Sequence, residues 1–270
     1  MAGTDGGRQL AFEFIDLTAP WVEEPATIVM HHGIGATRAI WRGWLPALLD
    51  RYRVLLFDMR GHGDSGSTET APAGAPISLD LLVEDLLAVM GNAGLDRAHL
   101  VGESIGGTIA LAAALRAPER VRTVTVSNGA HVGAQLQALH DWRDVMDRGG
   151  MAGWSAHMMP HRFFPGGVSD PQWRWFERIQ AEADREVVLG AVAALVGADL
   201  SDSVSALSCP LLLMHPDSSP FIPVPVVDDL RRRVRDARLH VIGRARHGMP
   251  VSHAATCSTL LRGFLDETRE

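Results

Sequence analysis

Apolar residues in this chain follow two alternating periods. Short runs that are apolar at successive positions are separated by longer stretches in which apolar residues recur every three or four positions. The first pattern is typical of strands buried on both faces, and the second of helices. We predict strands at 26–31, 53–58, 98–102, 121–127, 210–215 and 238–242, with 10–15 as an antiparallel edge.

The helical stretches carry their own start and stop signals. After Ser78, a good N-cap residue, apolar side chains recur at helical spacing until Gly91 or Gly94 closes the pattern. Further helices are predicted at 104–116, ending before Pro118, and at 251–265. Strands that alternate with helices indicate an α/β fold with a mostly parallel central sheet flanked by helices.

The alternation stops between residues 128 and 207. Four of the seven tryptophans lie in this stretch, which contains no convincing strand and is interrupted by Pro160, Pro165 and Pro171. Short helices inserted above the strand ends fit this pattern best. We therefore predict a helical cap at 131–205 and a core formed by 1–130 and 206–270.

Composition narrows the chemistry. The 270 residues carry a net charge of −7 and include no lysine, which excludes Schiff-base chemistry on a lysine and a P-loop. An acidic chain lacks the basic surface that nucleic acids and anionic membranes need. The two cysteines lie far apart in the sequence, so we expect no disulfide. The first residues contain neither a basic nor an apolar region of the kind that a signal peptide has, so we expect no secretion. We expect a cytoplasmic protein that acts on a small molecule, with a homodimer as the assembly to test.

One motif carries nucleophilic chemistry. Gly102-Glu103-Ser104-Ile105-Gly106 follows a predicted strand and opens a predicted helix. This G-x-S-x-G pattern, in a strand-turn-helix setting, places a serine hydroxyl at the tip of a sharp turn. The alternative is a glycine-rich helix start with Ser104 as a simple cap.

A serine nucleophile needs N–H donors for the oxyanion that it creates. The Ile105 amide, next after Ser104, is one candidate, and the Ile34 amide in the loop His32-Gly33-Ile34-Gly35 is the second. The alternative is that His31 and His32 only pack and that the glycines only make a turn.

Three segments together resemble the successive signatures of the α/β-hydrolase superfamily: His32 to Gly35, Phe57 to Ser65, and Gly102 to Gly107. The stretch Met146 to Met151 and Phe163-Phe164 resembles 3-oxoadipate enol-lactonases more weakly. The resemblance implies an α/β-hydrolase fold with a helical cap and a Ser-His-acid triad. It also implies that His62 is a turn residue.

The general base is predicted to be His247, in the loop between the last strand and the last helix, where the family places its histidine; His253 is the rival. Relatives carry the acid in a loop that here reads His215-Pro216-Asp217-Ser218-Ser219-Pro220-Phe221-Ile222-Pro223, and alignment by the closing proline puts Ser219 at the usual acid position. Asp217 is the only carboxylate there. Three interpretations stay open: Asp217 orients His247, Asn128 or a serine does so without charge, or the triad is degraded.

The cap offers candidate substrate contacts. Its aromatic residues would give an apolar roof, and an inward-facing arginine could hold a carboxylate. We select Trp154, His157 and Arg162, although these residues could equally serve the cap's own core or be solvated. His157 and His161 have metal-ligand spacing, but Pro160 and the missing carboxylate argue against a metal site. No metal and no cofactor are expected.

These observations predict a cofactor-independent serine hydrolase that cleaves an ester or lactone of a small organic acid through an acyl-enzyme. The alternatives are carbon-carbon bond or amide hydrolysis on the same machinery, or a catalytically impaired member that only binds its ligand. The sequence does not separate them.

Overall fold

A computed structural model describes residues 10–66, 76–139 and 141–268. Seven strands form one sheet in the order β1-β3-β2-β4-β5-β6-β7. Only the edge strand β1 runs antiparallel to its neighbour. The strands are β1 Phe12–Ile15, β2 Thr27–His31, β3 Arg53–Phe57, β4 Ala98–Glu103, β5 Val121–Ser127, β6 Leu211–Pro216 and β7 Ala237–Ile242.

Helices connect these strands and cover the sheet. They are α1 Leu79–Asn92, α2 Ile105–Arg116, α3 Trp142–Arg162, α4 Asp170–Ala181, α5 Arg185–Val196, α6 Val224–Arg233, α7 Met249–Ser252 and α8 Ala254–Glu267. A 3₁₀ helix at Arg38–Ala47 follows β2. Within the described part of the chain, none of the helices has the length and apolarity needed to cross a membrane.

Alternate side chains of each buried strand enter two separate cores. On β2, Val29 belongs to a cluster with α1, α2 and α6, whereas Ile28 and Met30 belong to a cluster with α8 and the 3₁₀ helix. Both clusters consist of buried side chains because helices cover both faces of the sheet. The apolar runs in the sequence therefore predicted the strands correctly.

Two predicted helix boundaries differ from the structure. α3 continues through Pro160, since a proline in the last turn removes only one of its final hydrogen bonds; α3 is instead kinked at Gly150, with φ 63° and ψ −167°. The predicted helix 251–265 is divided at His253, between α7 and α8. Residues 1–9, which hold most of the segment used to judge secretion, lie outside the described residues.

Helices α3, α4 and α5 lie between β5 and β6, in the segment where the sequence predicts a cap. Residues before and within these helices line one cavity together with the loops that follow β2, β4 and β7. In a parallel sheet these loops all leave from the carboxyl edge, where ligands of open α/β sheets bind. The topology thus brings distant motifs together beneath the inserted helices.

Candidate active site

Ser104 lies at a sharp turn between β4 and α2. Its backbone has φ 56° and ψ −122°, which a residue with a Cβ rarely adopts. The neighbouring glycines make the turn possible, because a Cβ at Gly102 would lie 2.1 Å from the Gly106 carbonyl oxygen, and one at Gly106 2.5 Å from the His31 carbonyl oxygen. The strain is typical of a nucleophile presented at a helix N-terminus.

Ser104 and His247 are brought together from positions 143 residues apart. The Ser104 Oγ lies 3.1 Å from the His247 Nε2, and both side chains are buried. This distance lies within the reach of a general base and a serine nucleophile. The rival His253 instead contacts the Ser252 hydroxyl at 2.9 Å, at the start of α8.

The loop that carries His247 is tied to the end of α3. The His247 N–H donates to the His161 carbonyl at 3.3 Å, and the Gly248 N–H donates to the Arg162 carbonyl at 2.8 Å. The last carbonyls of a helix have no partner within it, so the loop satisfies two of them. A Cβ at Gly248 would lie 2.3 Å from the Phe163 ring, which explains the glycine there.

The loop that holds Ile34 is fixed by two neutral histidines. The Gly35 N–H donates to the His62 Nε2 at 3.0 Å, and the Met59 N–H donates to the His32 Nε2 at 2.9 Å. The Nδ1 atoms of these rings face the Arg60 and Gly33 carbonyls. Each ring therefore carries its proton on Nδ1 and accepts on Nε2, which assigns both histidines to holding this loop.

These buried rings make stability depend on pH. Burial lowers the pKa of His31 and of His62 to about 4. An unfolded chain takes up these protons near pH 6.5, whereas the folded chain does so only near pH 4. We expect the contribution of each of these histidines to the free energy of unfolding to be constant above pH 6.5 and to fall between pH 6.5 and 4, by on the order of 3 kcal/mol at most.

Urea unfolding at a series of pH values measures this loss. His62→Gln is the matched comparison, because a glutamine amide can accept from the Gly35 N–H and does not titrate. The variant should lose less stability than the wild type over the same pH range. A difference in the free energy of unfolding between the wild type and His62→Gln that stays constant down to about pH 4.5 would contradict the assignment.

Asp217 does not contact His247. Its carboxylate accepts from the Arg244 N–H at 2.8 Å, the Ala245 N–H at 3.2 Å and the Ser218 hydroxyl at 2.9 Å. Its partial burial acts to raise the pKa of Asp217, but these hydrogen bonds outweigh it and the pKa is lowered. The Asp217 side chain lies at the surface, and its hydrogen bonds hold the beginning of the loop that carries His247. Asp217 is therefore not placed as the predicted triad acid would be, because its carboxylate binds the backbone of the loop and not the His247 ring.

The His247 Nδ1, which the triad acid of a serine hydrolase contacts, has no hydrogen-bond partner among the described residues. Asn128, which the sequence offered as an uncharged group to orient His247, does contact that residue. It is fully buried at φ 61°, and its Nδ2 donates to the His247 carbonyl oxygen at 2.8 Å, while its Oδ1 is also without a described partner. Asn128 therefore holds the His247 backbone rather than its ring.

A small cavity of about 20 Å³ lies above Ser104. Its polar lining is Ser104, His247 and Arg162, and its apolar lining is Ile34, Leu136, Leu139, Trp142, Val192, Leu195, Phe221 and Ile222. Most of the wall is apolar, with the reactive pair at one end. This lining suits a small substrate with few charges.

The three predicted substrate contacts have different places. Arg162 lines the cavity, whereas Trp154 is fully buried behind Trp142, at a ring separation of 5.1 Å, and packs against Gly35. His157 is partly exposed and pairs with Asp141 at 3.5 Å. The aromatic rings Trp142 and Phe221 thus line the cavity, and Trp154 supports the Ile34 loop from behind.

Arg162 reaches from α3 into the core and is almost completely buried. Its Nη2 donates to the Ile34 carbonyl at 2.6 Å and its Nε donates to Gln180 at 2.9 Å. Its Nη1 lies 3.8 Å from Glu103 Oε1. These hydrogen bonds use two of the five N–H groups of Arg162, fix the orientation of the peptide that follows Ile34, and leave Nη1 facing Glu103.

Glu103, directly before Ser104, is a further ionisable residue in the site. It is 2% exposed, and burial raises its pKa to about 7, although Arg162 and the Gly33 N–H act to lower it. The sequence contains Glu103 only as a variable position of the motif, so nothing in the pattern singled it out. Its proximity to two other charged or chargeable side chains appears only in three dimensions.

Comparison with known proteins agrees with this geometry. Residues 26–152, which include β2 to β5 and the Ser104 turn, match the family model described as the alpha/beta hydrolase fold. The chain is an α/β hydrolase by fold. The resemblance seen in the three motifs is thereby confirmed, and the fold class with it.

Relatives of this α/β hydrolase cover nearly its whole length. It is 26% identical over 88% of its chain to a Caulobacter sp. (strain K31) protein, RutD, which carries the name of a carbamate hydrolase, and covers 90% of that protein. It is 28% identical over 89% of its chain to 2-hydroxymuconate semialdehyde hydrolase from Pseudomonas sp. (strain CF600), covering 87% of it. These relatives support hydrolase activity for the α/β hydrolase described here.

A solved structure gives the same result for the fold. The enol-lactonase from Burkholderia xenovorans LB400 superimposes with a TM-score of 0.84 at 23% identity, over 95% of this chain and 96% of that one. The two chains thus share one fold over nearly their whole lengths.

Proposed function

We propose that this α/β hydrolase is a cofactor-independent serine hydrolase that cleaves small esters or lactones through an acyl-enzyme. The observation that carries the proposal is the 3.1 Å contact between the Ser104 Oγ and the His247 Nε2 at the end of a mostly apolar cavity. A strained serine beside a buried, neutral imidazole is the minimum that nucleophilic acyl transfer requires.

Each step assigns a role to one group. His247 Nε2 takes the Ser104 proton as Oγ bonds to the substrate carbonyl carbon, and the carbonyl oxygen becomes an oxyanion. The Ile34 and Ile105 amides donate to that oxyanion. His247 then gives the proton to the leaving alkoxide as its bond to carbon breaks, and water repeats the sequence on the acyl-enzyme.

Two arrangements support this assignment of the amides. The Ile105 N–H lies in the first turn of α2, where no intrahelical acceptor exists for it. The Ile34 carbonyl is held by the buried Arg162 guanidinium, and the next amide, of Gly35, is held by His62. The loop is therefore fixed on both sides before substrate binds, and such preorganisation is what makes an oxyanion site effective.

The orienting acid is open to the three interpretations considered from sequence. For Asp217 to reach His247, its carboxylate must leave the Arg244 and Ala245 amides. Asn128 is closer to His247 but engages its backbone. In either case a serine and a neutral histidine remain in contact, so the class of reaction is the same.

The lining favours a neutral substrate with a small, apolar acyl group. A carboxylate beside Ser104 would lie near the Glu103 carboxyl group, and Arg162, the cation of the lining, already faces Glu103 and binds Gln180 and the Ile34 carbonyl. Carbon-carbon bond hydrolysis is the second candidate, supported by the 28% identity to the semialdehyde hydrolase. It uses the same nucleophile and base and differs in the leaving group.

Labelling with a fluorophosphonate tests the proposed nucleophile. The wild type should gain one adduct per chain, seen as an intact-mass shift, and should hydrolyse a short p-nitrophenyl ester. Ser104→Ala should do neither, since it removes the only oxygen proposed to bond to phosphorus or carbon. The variant also removes the strained serine's polar contact without adding atoms, so its fold can be checked by circular dichroism.

A wild-type protein that is folded but takes no label would overturn the proposal. It would favour the impaired, ligand-binding alternative instead. Labelling without ester turnover would leave Ser104 as nucleophile and direct the substrate search to carbon-carbon bonds and amides.

A further inference from the structure

We propose that the carboxylate of Glu103 stabilises the positive charge that His247 acquires during the reaction. The proposal rests on the proposed serine hydrolase function. In a Ser-His-acid triad this stabilisation comes from an acid on the other ring nitrogen, Nδ1. Here the His247 Nδ1 has no described partner, while Glu103 approaches the nitrogen that takes the proton.

The geometry places Glu103 beside the proton transfer. Its Oε1 lies 3.6 Å from His247 Nε2, and the Ser104 Oγ lies 3.1 Å from the same nitrogen. The carboxylate is therefore next to the imidazolium N–H at the moment that it forms. It does not block Ser104, since the closer contact is the hydroxyl.

A built space holds Glu103 in this position. A Cβ at Gly33 would lie 2.1 Å from Glu103 Oε2 and 2.8 Å from Ser104 Cβ, so only a glycine in the oxyanion loop allows the two side chains to lie there. The Oε2 atom has no hydrogen-bond partner among the described residues. Glu103 is thus a buried carboxyl whose only charged neighbours are in the site.

The charged groups that face this pair come from every side of the site. Arg162, on α3, faces both Glu103 and His247. His161 on α3 and His215 on β6 also act on His247, and the loop after β2 contributes only the Gly33 backbone to Glu103. Burial lowers the pKa of His247 well below its usual value, and Arg162, His215 and His161 lower it further.

His247 alone is therefore a weak base. Glu103, with its pKa raised by burial to about 7, is ionised on the alkaline side of neutrality. When His247 takes the Ser104 proton, it forms an ion pair with that carboxylate, and both side chains are buried, where such pairing is strong. Below neutrality Glu103 is uncharged and the stabilisation is lost. No bond to Glu103 forms or breaks, so it acts as a positioning residue through His247.

The pH dependence of kcat/KM for p-nitrophenyl acetate tests the role. The wild-type value should rise through an inflection near pH 7 to an alkaline plateau. Glu103→Gln keeps the side-chain shape and removes the charge. We expect it to lose the inflection and to have a plateau at least about tenfold lower. A variant that keeps both the inflection and the plateau would overturn the proposal.

A variant at Arg162 tests whether the inflection comes from the ionisation of Glu103 while Glu103 itself is kept. Arg162 lowers the pKa of Glu103, so Arg162→Gln should move the inflection to higher pH, and adding Glu103→Gln should then remove it. An inflection that stays in place in Arg162→Gln, or that survives in the double variant, belongs to another group and contradicts the assignment.

Asp217→Asn is the matched carboxyl control. Whatever its effect on the plateau, it should keep the inflection near pH 7, since Asp217 is exposed and its pKa is lowered. Loss of the inflection in Asp217→Asn and not in Glu103→Gln would transfer the role to Asp217. Fluorophosphonate labelling separates the two proposals: a labelled wild type with an unaffected Glu103→Gln profile rejects this inference alone.

Discussion

Replacing His247 with glutamine is expected to lower the rate of Ser104 acylation by roughly 10²- to 10⁴-fold. Glutamine fills a similar space but cannot accept the serine proton, so Ser104 must react as a neutral hydroxyl. The Ser104 Oγ and His247 Nε2 are 3.1 Å apart, and the described structure shows no other base that contacts that hydroxyl. The measurement is the pseudo-first-order rate of fluorophosphonate labelling, followed by intact mass.

His253→Gln is the control for this experiment. His253 is the other histidine of the same segment, but it contacts only Ser252 at the start of α8. Its labelling rate should stay within about twofold of the wild type. If His253→Gln were slowed and His247→Gln were not, the base would have been assigned to the wrong histidine.

Replacing Gly102 with alanine adds a single methyl group, and we expect it to destabilise the fold more than the same change elsewhere in the site. The new Cβ would lie 2.1 Å from the Gly106 carbonyl oxygen and close to the Gly107 nitrogen. Both are backbone atoms at the start of α2, so neither can move aside by changing rotamer. The expected loss is about 3 kcal/mol or more in the free energy of unfolding, together with loss of labelling because the Ser104 turn cannot form.

Urea unfolding of Gly102→Ala and Gly263→Ala gives the matched comparison. Gly263 is exposed within α8, and a Cβ there meets no atom within 4 Å. Alanine at that position should stabilise the protein by about 0.5–1 kcal/mol, since it favours the helix. Equal stability of the two variants would mean that the turn has room that the structure does not show.

The strands and the positions of Ser104 and His247 were predictable because both depend on local sequence. A run such as Thr27–His31, with three successive apolar residues, is typical of a strand that is buried on both faces. Ser104 is marked by its flanking glycines, and His247 by its place between the last strand and the final helices. In each case the signal and its structural cause lie within a few residues of each other.

The partners of polar side chains were not predictable in the same way. Asp217 was the only carboxylate in its loop, but which groups it binds depends on the backbone of 244–245, which reaches it from β7. Arg162 lines the cavity, but its hydrogen bonds to Gln180 and to the Ile34 carbonyl depend on residues far away in the sequence. Trp154 could have faced either side of α3, and the kink at Gly150 is not visible in an apolar pattern.

The two hydrogen bonds between the His247 loop and the end of α3 link the position of His247 to the position of the helix under which a substrate would enter. If the carboxyl end of α3 moves away to admit a substrate, the His161 and Arg162 carbonyls leave the His247 and Gly248 amides. Arg162 leaves with them and releases the Ile34 carbonyl. Movement of the carboxyl end of α3 therefore also releases the loop that carries His247 and the loop that carries Ile34. If Ser104 and His247 act as we propose, the site is therefore competent only while this end of α3 is in place, and molecules too large to be enclosed beneath it do not react.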